Sequence, residues 1–118
     1  MKYYSKKEKG RRLELKFAKM LRDYDLDKSA GRMPGSGAFA HFKQDIHTKI
    51  PFSFELKNQE TISFWKWWEQ ADSEKTPNRP AVLVFSGNYR PIMCAMLAET
   101  FLDVLKELQD YKNESKNK

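Results

Sequence analysis

The sequence of 118 residues predicts an α/β fold in which helices flank a small mixed β-sheet. Apolar residues recur with a helical period in three segments and alternate with polar residues in shorter segments between them. With 40% hydrophobic and 32% charged residues, the composition is that of a folded protein rather than a disordered chain. The length suits one domain, which we place at residues 1–112, followed by a polar tail at 113–118 that we expect to fray.

The first and last helices are defined by their apolar faces. The first is predicted at residues 10–24, where apolar side chains at helical spacing share one face. At about 100° per residue, Glu14 lies at the edge of that face, so that its carboxylate can point into a cleft. The last helix, residues 98–112, has a broad apolar face and is predicted to pack in the core.

The middle helix, predicted at residues 61–71, is rich in aromatic side chains. Phe64, Trp68 and Ala71 share one of its faces, which we expect to enter the core. Trp65 or Trp67 must then point elsewhere. An interface or a stacking surface for exposed bases is the alternative role for that side chain.

Strands are predicted at residues 44–48, 50–57, 81–86 and 91–97. In the second of them, apolar residues alternate with polar ones, so Glu55 and Lys57 project from the same face. Asp45 precedes Glu55 by ten residues and lies on the neighbouring strand. The strand pair therefore brings two carboxylates and a lysine together.

Positive charge is concentrated in the first half of the chain, although the net charge is only +6. Residues 1–57 hold fourteen Lys and Arg against seven Asp and Glu, which gives +7, and residues 58–118 hold eight against nine, which gives −1. This distribution suits attraction to a phosphate backbone, although a solvated basic surface has the same composition. Residues 29–37 contain three glycines and a proline and are predicted to form an irregular loop whose amides, with Arg32, could hold a phosphate.

Other features restrict the class of protein. No apolar run approaches the roughly 20 residues of a membrane span, and the first residues lack the apolar segment of a signal peptide, so we expect a cytoplasmic protein. The single cysteine, Cys94, has no partner for a disulfide and is expected to serve in packing. The two histidines lack the thiol partners of a zinc site.

The pattern acidic residue-x-lysine occurs four times, and only at Glu55-Leu56-Lys57 does it fall on a predicted strand. Magnesium prefers oxygen ligands and retains several waters, so Asp45, Glu55 and the Leu56 carbonyl would form a suitable partial cage. The ion would activate water for attack on phosphorus, and Lys57 could orient that water and add positive charge. A cross-strand ion pair on the surface is the alternative interpretation of Glu55 and Lys57.

Four segments occur in an order that is found in a known family. They are Lys9-Gly10 with Glu14 four residues past the glycine, Arg32-Met-Pro-Gly-Ser-Gly37, Asp45-Ile46 and Phe54-Glu-Leu-Lys57. Over residues 9–60 the sequence resembles the archaeal and phage Holliday-junction resolvases of the PD-(D/E)xK nuclease superfamily. It departs from them at Gln44, where the superfamily's name places proline, and at residues 58–60, which lack the usual basic residues.

The resemblance implies a restriction-endonuclease-like core, dependence on magnesium with manganese as a substitute, a homodimer, and four-way DNA junctions as substrate. It implies that Glu14, Asp45, Glu55 and Lys57 are catalytic, and that Ser36 matches a loop serine important for cleavage. We assign the metal to Asp45, Glu55, Leu56 and Glu14, and DNA contacts to Lys9, Arg11, Arg32, Ser36 and Lys43. The expected setting is the cytoplasm of a bacterial, archaeal or phage-infected cell.

Two other functions remain open at the level of sequence. One is a different nuclease of the superfamily, a nickase or an enzyme that cuts flaps or plain duplex. The other is a DNA-binding module without activity, although carboxylates that face a phosphate backbone are unfavourable unless a cation lies between them.

Overall fold

The structure is a computed structural model that describes residues 5–32 and 45–116. In chain order its elements are α1 (Lys6–Asp23), β1 (Gly31–Arg32), β2 (Ile46–His47), β3 (Ser53–Asn58), α2 (Phe64–Ser73), β4 (Ala81–Ser86), β5 (Met93–Ala95) and α3 (Ala98–Lys116). These elements confirm the predicted α/β class, with a mixed three-stranded sheet, a two-stranded sheet and flanking helices compatible with a restriction-endonuclease-like fold.

The three-stranded sheet has the order β3-β4-β5. β3 and β4 are parallel, with Ser53 opposite Ala81 and Asn58 opposite Ser86. Because parallel neighbours need a crossover connection, α2 carries the chain from the end of β3 back to the start of β4. β5 returns antiparallel to β4 after a short turn. The predicted strand at residues 81–86 is confirmed, and the one at 91–97 is shorter, because only Met93–Ala95 pair.

α1 begins four residues before the predicted start at residue 10. The Ser5 hydroxyl accepts a hydrogen bond of 3.2 Å from the Glu8 amide, and Glu8 lies in the first turn. A serine followed three residues later by glutamate is a capping box, which satisfies amides that the helix itself leaves unpaired. This signal starts the helix among charged residues, where an apolar period has not yet begun.

One face of the sheet packs against α1. Phe54 and Leu56 of β3 and Val82 and Val84 of β4 form a single buried cluster with the apolar face of the helix. At its centre the rings of Phe17 and Phe54 meet edge to face with centroids 5.1 Å apart. Since alternate strand residues face opposite sides, this packing directs Glu55 and Lys57 to the other face.

The other face is covered by α2, and the predicted core side is confirmed at Ala71 but not at Phe64 and Trp68, which are only half-buried. Trp67, only 4% exposed, and Ala71 are the buried residues, whereas Trp65 is 73% exposed. Trp67 packs against Phe85 of β4 with ring centroids 6.4 Å apart. Because four of the five residues from Phe64 to Trp68 are aromatic, the apolar period does not distinguish one face from the next.

The segment after α1 is more regular than predicted. Gly31 and Arg32 form β1 and pair antiparallel with His47 and Ile46 of β2, whereas residues 33–37 of the expected irregular loop lie outside the described residues. The predicted strand at residues 44–48 is regular only at Ile46–His47 among the residues described there. Cys94 is exposed rather than packed in the interior.

The turn that follows α1 is fixed by Asp27, which is buried. One carboxylate oxygen accepts hydrogen bonds from the Ser29 amide at 2.9 Å and the Ser29 hydroxyl at 2.6 Å. The other accepts from the Thr48 hydroxyl and the Lys49 amide, each at 2.6 Å. These bonds hold the pKa of Asp27 well below its ordinary value, with the Ser29 hydroxyl first in effect. They join the end of α1 to the segment that carries Asp45.

α3 is a helix as predicted, but it is not a core helix. Thr100 alone is buried among its residues, and in the described part of the chain no other element packs extensively against it. Its large apolar side chains are between 42% and 68% exposed: Phe101, Leu102, Val104, Leu105, Leu108 and Tyr111. Within residues 5–32 and 45–116, no helix is long and apolar enough to cross a membrane.

Candidate active site

Asp45 lies beside the outer edge of β3. Its amide donates to the Phe54 carbonyl at 3.1 Å, and its Oδ2 accepts from the Leu56 amide at 2.8 Å. Both bonds go to the strand that carries Glu55, so the two carboxylates are held by one short stretch of backbone. The sequence predicted this proximity through neighbouring strands, and the contact is made by Asp45 immediately before β2.

Glu55 and Lys57 project from the same face of β3, as the period of two predicts. Glu55 is only 6% exposed. Lys57 Nζ lies 3.7 Å from Glu55 Oε1, and about a fifth of the Lys57 side chain remains accessible. The pair is therefore buried rather than on the surface, which removes the interpretation of a solvated cross-strand ion pair.

The electrostatics of this cluster favour a bound cation. Burial and, after it, the charge of the nearby Asp45 carboxylate raise the pKa of Glu55 to about 8 against the lowering effect of Lys57. Burial, together with the charge of Glu14, likewise raises the pKa of Asp45 to about 6 against the hydrogen bond from the Leu56 amide. Two acids whose charges oppose each other in a dry site bind either protons or a metal ion.

Glu74 is a further acidic residue near the cluster that the sequence did not predict. Its charge raises the pKa of both Asp45 and Glu55. Glu74 directly follows the last residue of α2, where its amide donates to the Gln70 carbonyl, and Gln70 Nε2 donates to its Oε2 at 3.4 Å. The sequence does not indicate a role for Glu74, because this residue falls outside the predicted helix at 61–71. Only the packing of α2 on the sheet brings it near β3.

Glu14 is engaged by Arg32. Arg32 Nε donates to Glu14 Oε2 at 2.6 Å, which links the middle of α1 to β1. Glu14 still acts on Asp45 through its charge. The structure thus brings Glu14 to the acidic side of the cleft and places Arg32 on a carboxylate rather than free for a phosphate.

The remaining residues assigned to DNA contact fall in three places. Lys9 lies on one flank of α1, where its Nζ is 3.7 Å from Glu60 Oε1. Arg11 is exposed on the outer side of the same helix. Ser36 and Lys43 lie outside the described residues.

The donor set near Glu55 fits magnesium better than a metal that needs a complete protein cage. Across residues 5–32 and 45–116 no group of three or more His, Cys, Asp or Glu is arranged to hold a metal. Magnesium commonly takes only one or two carboxylates and keeps waters and substrate phosphates as its other ligands. Asp45, Glu55 and the carbonyl of Leu56 match that requirement.

An edge strand that carries Glu-x-Lys, with an aspartate bonded to its backbone, is the arrangement for which the PD-(D/E)xK nucleases are named. The family model described as "Phage putative PDDEXK endonuclease" matches residues 5–117. The chain therefore belongs to this phage endonuclease family and is a nuclease of the PD-(D/E)xK type. Nucleases of this type generally use divalent metals. No curated protein and no solved structure matches the chain.

Proposed function

We propose that this nuclease is a magnesium-dependent, structure-selective DNA endonuclease that hydrolyses phosphodiester bonds at the Asp45, Glu55 and Lys57 cluster. The observation that carries the proposal is the burial of Glu55 beside a second carboxylate, with raised pKa values for both. Such an arrangement is unfavourable for folding alone, and a cation that binds both carboxylates and a phosphate removes the repulsion.

Each residue has a separate part in the proposed reaction. Asp45 and Glu55, with the Leu56 carbonyl, would hold the ion, and the Leu56 amide keeps the Asp45 carboxylate oriented. A bound magnesium ion would ease loss of a proton from the attacking water and neutralise charge that develops on the phosphate. Lys57, which is partly accessible, faces the same space and can hydrogen-bond that water or a phosphate oxygen. Glu14 supports the site by adding negative charge near Asp45.

The substrate proposed first is the four-way DNA junction. This choice rests on the resemblance of residues 9–60 to the junction resolvases, including Ser36 as a residue of the cleavage loop. A nuclease that cuts flaps or plain duplex is the alternative. The lack of basic residues at 58–60, where the junction resolvases usually have them, favours this alternative. Membership in a phage family supports action in the cytoplasm of an infected host cell.

We further propose that the enzyme is a homodimer in which α3 of one copy packs against α3 of a second. A fully exposed large side chain offers roughly 200 Å², so the six apolar residues of α3 leave roughly 600 Å² uncovered on each copy. Two copies would bury about 1,200 Å², which reaches the range of specific interfaces. An antiparallel arrangement places the acidic residues Glu99 and Asp103 of one helix opposite Lys112 and Lys116 of the other.

The proposed activity is tested by incubating purified protein with magnesium and a labelled DNA substrate. We expect cleavage by the wild type, none in excess EDTA, and none by Glu55→Gln. Glu69→Gln is the matched control, because Glu69 is an exposed glutamate on α2 outside the cluster, and it should cleave at the wild-type rate. Cleavage by Glu55→Gln at the control's rate would show that the site lies elsewhere.

The substrate is tested with a four-way junction and a linear duplex made from the same sequences. Selective cleavage of the junction, with paired nicks, supports the junction assignment. Equal cleavage of the two would replace it with the flap or duplex alternative and leave the catalytic assignment intact.

A further inference from the structure

A basic groove lies on the flank of α1 away from Glu14. It has a volume of about 760 Å³ and is bounded by α1, the end of β3 and the turn between β4 and β5. Lys9, Arg12, Lys16 and Lys19 line its helical wall, and Arg90 lines the opposite one. Among the residues that the structure describes, no acidic side chain lines it, although Lys9 and Lys19 form ion pairs with Glu60 and Asp23 at its margin.

The helical wall has the spacing of a continuous stripe. Positions 9, 12, 16 and 19 follow the i, i+3, i+4 pattern, so their side chains project from one side of the helix over about 15 Å. That length covers roughly two or three phosphates of an extended DNA strand. Among the described residues, neither Lys16 nor Arg90 has a carboxylate partner. These two charges are therefore available to a ligand.

The opposite wall presents an aromatic ring in a strained conformation. Tyr89 lines the groove and is 95% exposed. The Arg90 amide donates to the Gly87 carbonyl at 3.2 Å, which makes residues 87–90 a tight turn with Tyr89 in its third position. Its φ of 59° is one that this position of a turn normally reserves for glycine or asparagine. A bulky residue that is strained and also makes no packing contribution points to function rather than folding.

Polar contacts join the turn at residues 87–90 to α1 and to the segment that follows β3. Glu60 accepts a hydrogen bond from the Asn88 amide, and the same carboxylate oxygen lies 3.7 Å from Lys9 Nζ. Asn58 Nδ2 donates to the Lys9 carbonyl at 3.0 Å and fixes the start of α1 to the end of β3. The two walls therefore keep their separation, and the ring of Tyr89 is presented by a rigid turn.

The groove and the proposed active site lie on opposite faces of β3, near the end of that strand. Asn58 lines the groove and directly follows Lys57 on β3. Residues 55 and 58 of an extended strand are about 10 Å apart, which is a separation of one or two nucleotides along a strand. Because Asn58 faces α1 and Lys57 faces the other side of β3, a strand in the groove would reach the phosphate that is cut by passing around the end of β3.

We propose that this groove binds an unpaired DNA strand that passes around the end of β3 from the proposed active site, with the backbone on the α1 cations and a base stacked on Tyr89. Aromatic rings interleaved with cations are how proteins hold single strands, because every base offers a face for stacking and a duplex does not expose it. The inference rests on the proposed nuclease function and, of its two candidate substrates, favours a flap or fork with an unpaired segment over a fully paired four-way junction.

The test measures binding separately from cleavage. All variants are made in the Glu55→Gln background and titrated in EDTA against a fork with a single-stranded arm, a blunt duplex of equal length and a fully paired four-way junction. We expect the fork to bind most tightly. Tyr89→Gly should weaken fork binding by roughly 5- to 100-fold and leave the blunt duplex within a factor of two. Tyr89→Phe, which keeps the ring, should bind like the parent.

Tyr89→Gly also separates a binding role from a structural one. Because glycine adopts the observed φ without strain, this variant should melt at the same temperature as its parent or higher. Weaker fork binding in a protein that is no less stable supports the proposal. Unchanged fork binding, or an equal loss on fork and blunt duplex, would overturn the stacking role of Tyr89.

The cations are tested with Lys16→Gln/Arg90→Gln. Removing two contacts to a single strand should reduce the slope of log affinity against log salt by about 1.4. The matched control is Lys28→Gln/Lys49→Gln, which removes two exposed lysines near the far end of α1 and should leave the slope unchanged. Equal slopes for both double variants would exclude the groove as the strand's path. Failure of these binding tests with intact cleavage by the wild type would overturn the groove alone, whereas absent cleavage with intact binding would overturn the proposed function.

Discussion

Asp45 Oδ2 accepts a hydrogen bond of 2.8 Å from the amide of Leu56, the residue between Glu55 and Lys57. Asp45 is thus fixed to the backbone of the strand that presents the other two residues of the proposed site. Its orientation does not depend on a bound metal, so the carboxylates are already placed before an ion arrives. The fold therefore supplies the free energy that holds the carboxylates of Asp45 and Glu55 close together.

Asp45→Asn should abolish cleavage and increase stability. Asparagine can still accept from the Leu56 amide, but it cannot repel Glu55 or bind the ion as a carboxylate does. We expect cleavage to fall roughly 1000-fold, the melting temperature of the metal-free protein at pH 8 to rise, and DNA binding to be equal or tighter. Thermal melting and single-turnover cleavage measure these effects. A variant that is less stable than the wild type would contradict the repulsion.

The metal-free protein should lose stability as the pH rises. The pKa values of Asp45 and Glu55 are raised in the folded state above their unfolded values near 4, so the folded protein binds more protons between those limits. The stabilising effect is fully present below about pH 4 and is lost as the pH approaches 8. Melting in EDTA from pH 5 to pH 8 measures the loss.

Magnesium should reverse that loss, since it takes the place of the protons and binds more tightly as they leave. We expect a rise of several degrees in melting temperature at pH 8 and little change at pH 5. In Glu55→Gln both the pH dependence and the response to magnesium should be smaller. An identical response in this variant would place the metal away from Glu55.

Lys57→Gln should slow cleavage with little effect on DNA affinity. Loss of a residue that positions or polarises reacting groups is expected to reduce the rate by roughly 100-fold or more. Lys57 also lowers the pKa of Glu55, so its removal should move the rise of the residual activity to higher pH. Single-turnover rates from pH 6 to pH 9 measure both effects. Lys66→Gln on the exposed side of α2 is the control for loss of one lysine.

Asp27→Asn should lower the free energy of unfolding at neutral pH. It should also make that free energy depend less on pH in the acidic range. An amide cannot replace a carboxylate that accepts four hydrogen bonds, two of them from backbone amides. The pKa of Asp27 is lowered in the folded state, so its stabilising effect is present above its unfolded pKa and is lost as the pH falls below about 4. Urea unfolding from pH 3 to pH 7 should show wild type and variant converging at the acidic end. Parallel curves would mean that Asp27 is not the group responsible.

Leu102→Gln/Leu105→Gln should convert a dimer into a monomer. The wild type should elute from gel filtration with light scattering at twice the chain mass of 14.0 kDa, and the variant at the chain mass. Because these side chains are exposed in the single chain, the variant should keep its helical circular dichroism. A wild type that is monomeric at high micromolar concentration would exclude a second copy as the partner of α3.

The sequence predicted those parts of the site that depend on local pattern. Glu55 and Lys57 follow from the alternation along β3, and Asp45 follows from its place on the preceding extended segment. Glu74 does not, because its approach to β3 depends on how far α2 continues and on which face of that helix meets the sheet. Trp67 was misplaced for the same reason, since an aromatic at nearly every position removes the periodic signal.

α3 shows a different limit. Its apolar residues predict a helix and its apolar side, and both are present. The apolar period does not indicate what packs against that side of the helix. We therefore predicted that α3 packs in the core, whereas its apolar side chains are exposed in the single chain. Tyr89 lies beyond sequence patterns altogether, because its left-handed backbone and its place on the groove arise from the turn that Glu60 holds.

Because β3 is an edge strand of its sheet, Asp45 also has a structural role. An unpaired strand edge is a template on which another chain can add a strand, and such association leads to aggregation. The Asp45 amide donates to the Phe54 carbonyl, and its carboxylate accepts from the Leu56 amide. This residue therefore blocks that strand edge in addition to its part in the proposed reaction. A descendant that lost nuclease activity would therefore still be expected to keep an acceptor side chain at position 45, because its solubility would depend on it.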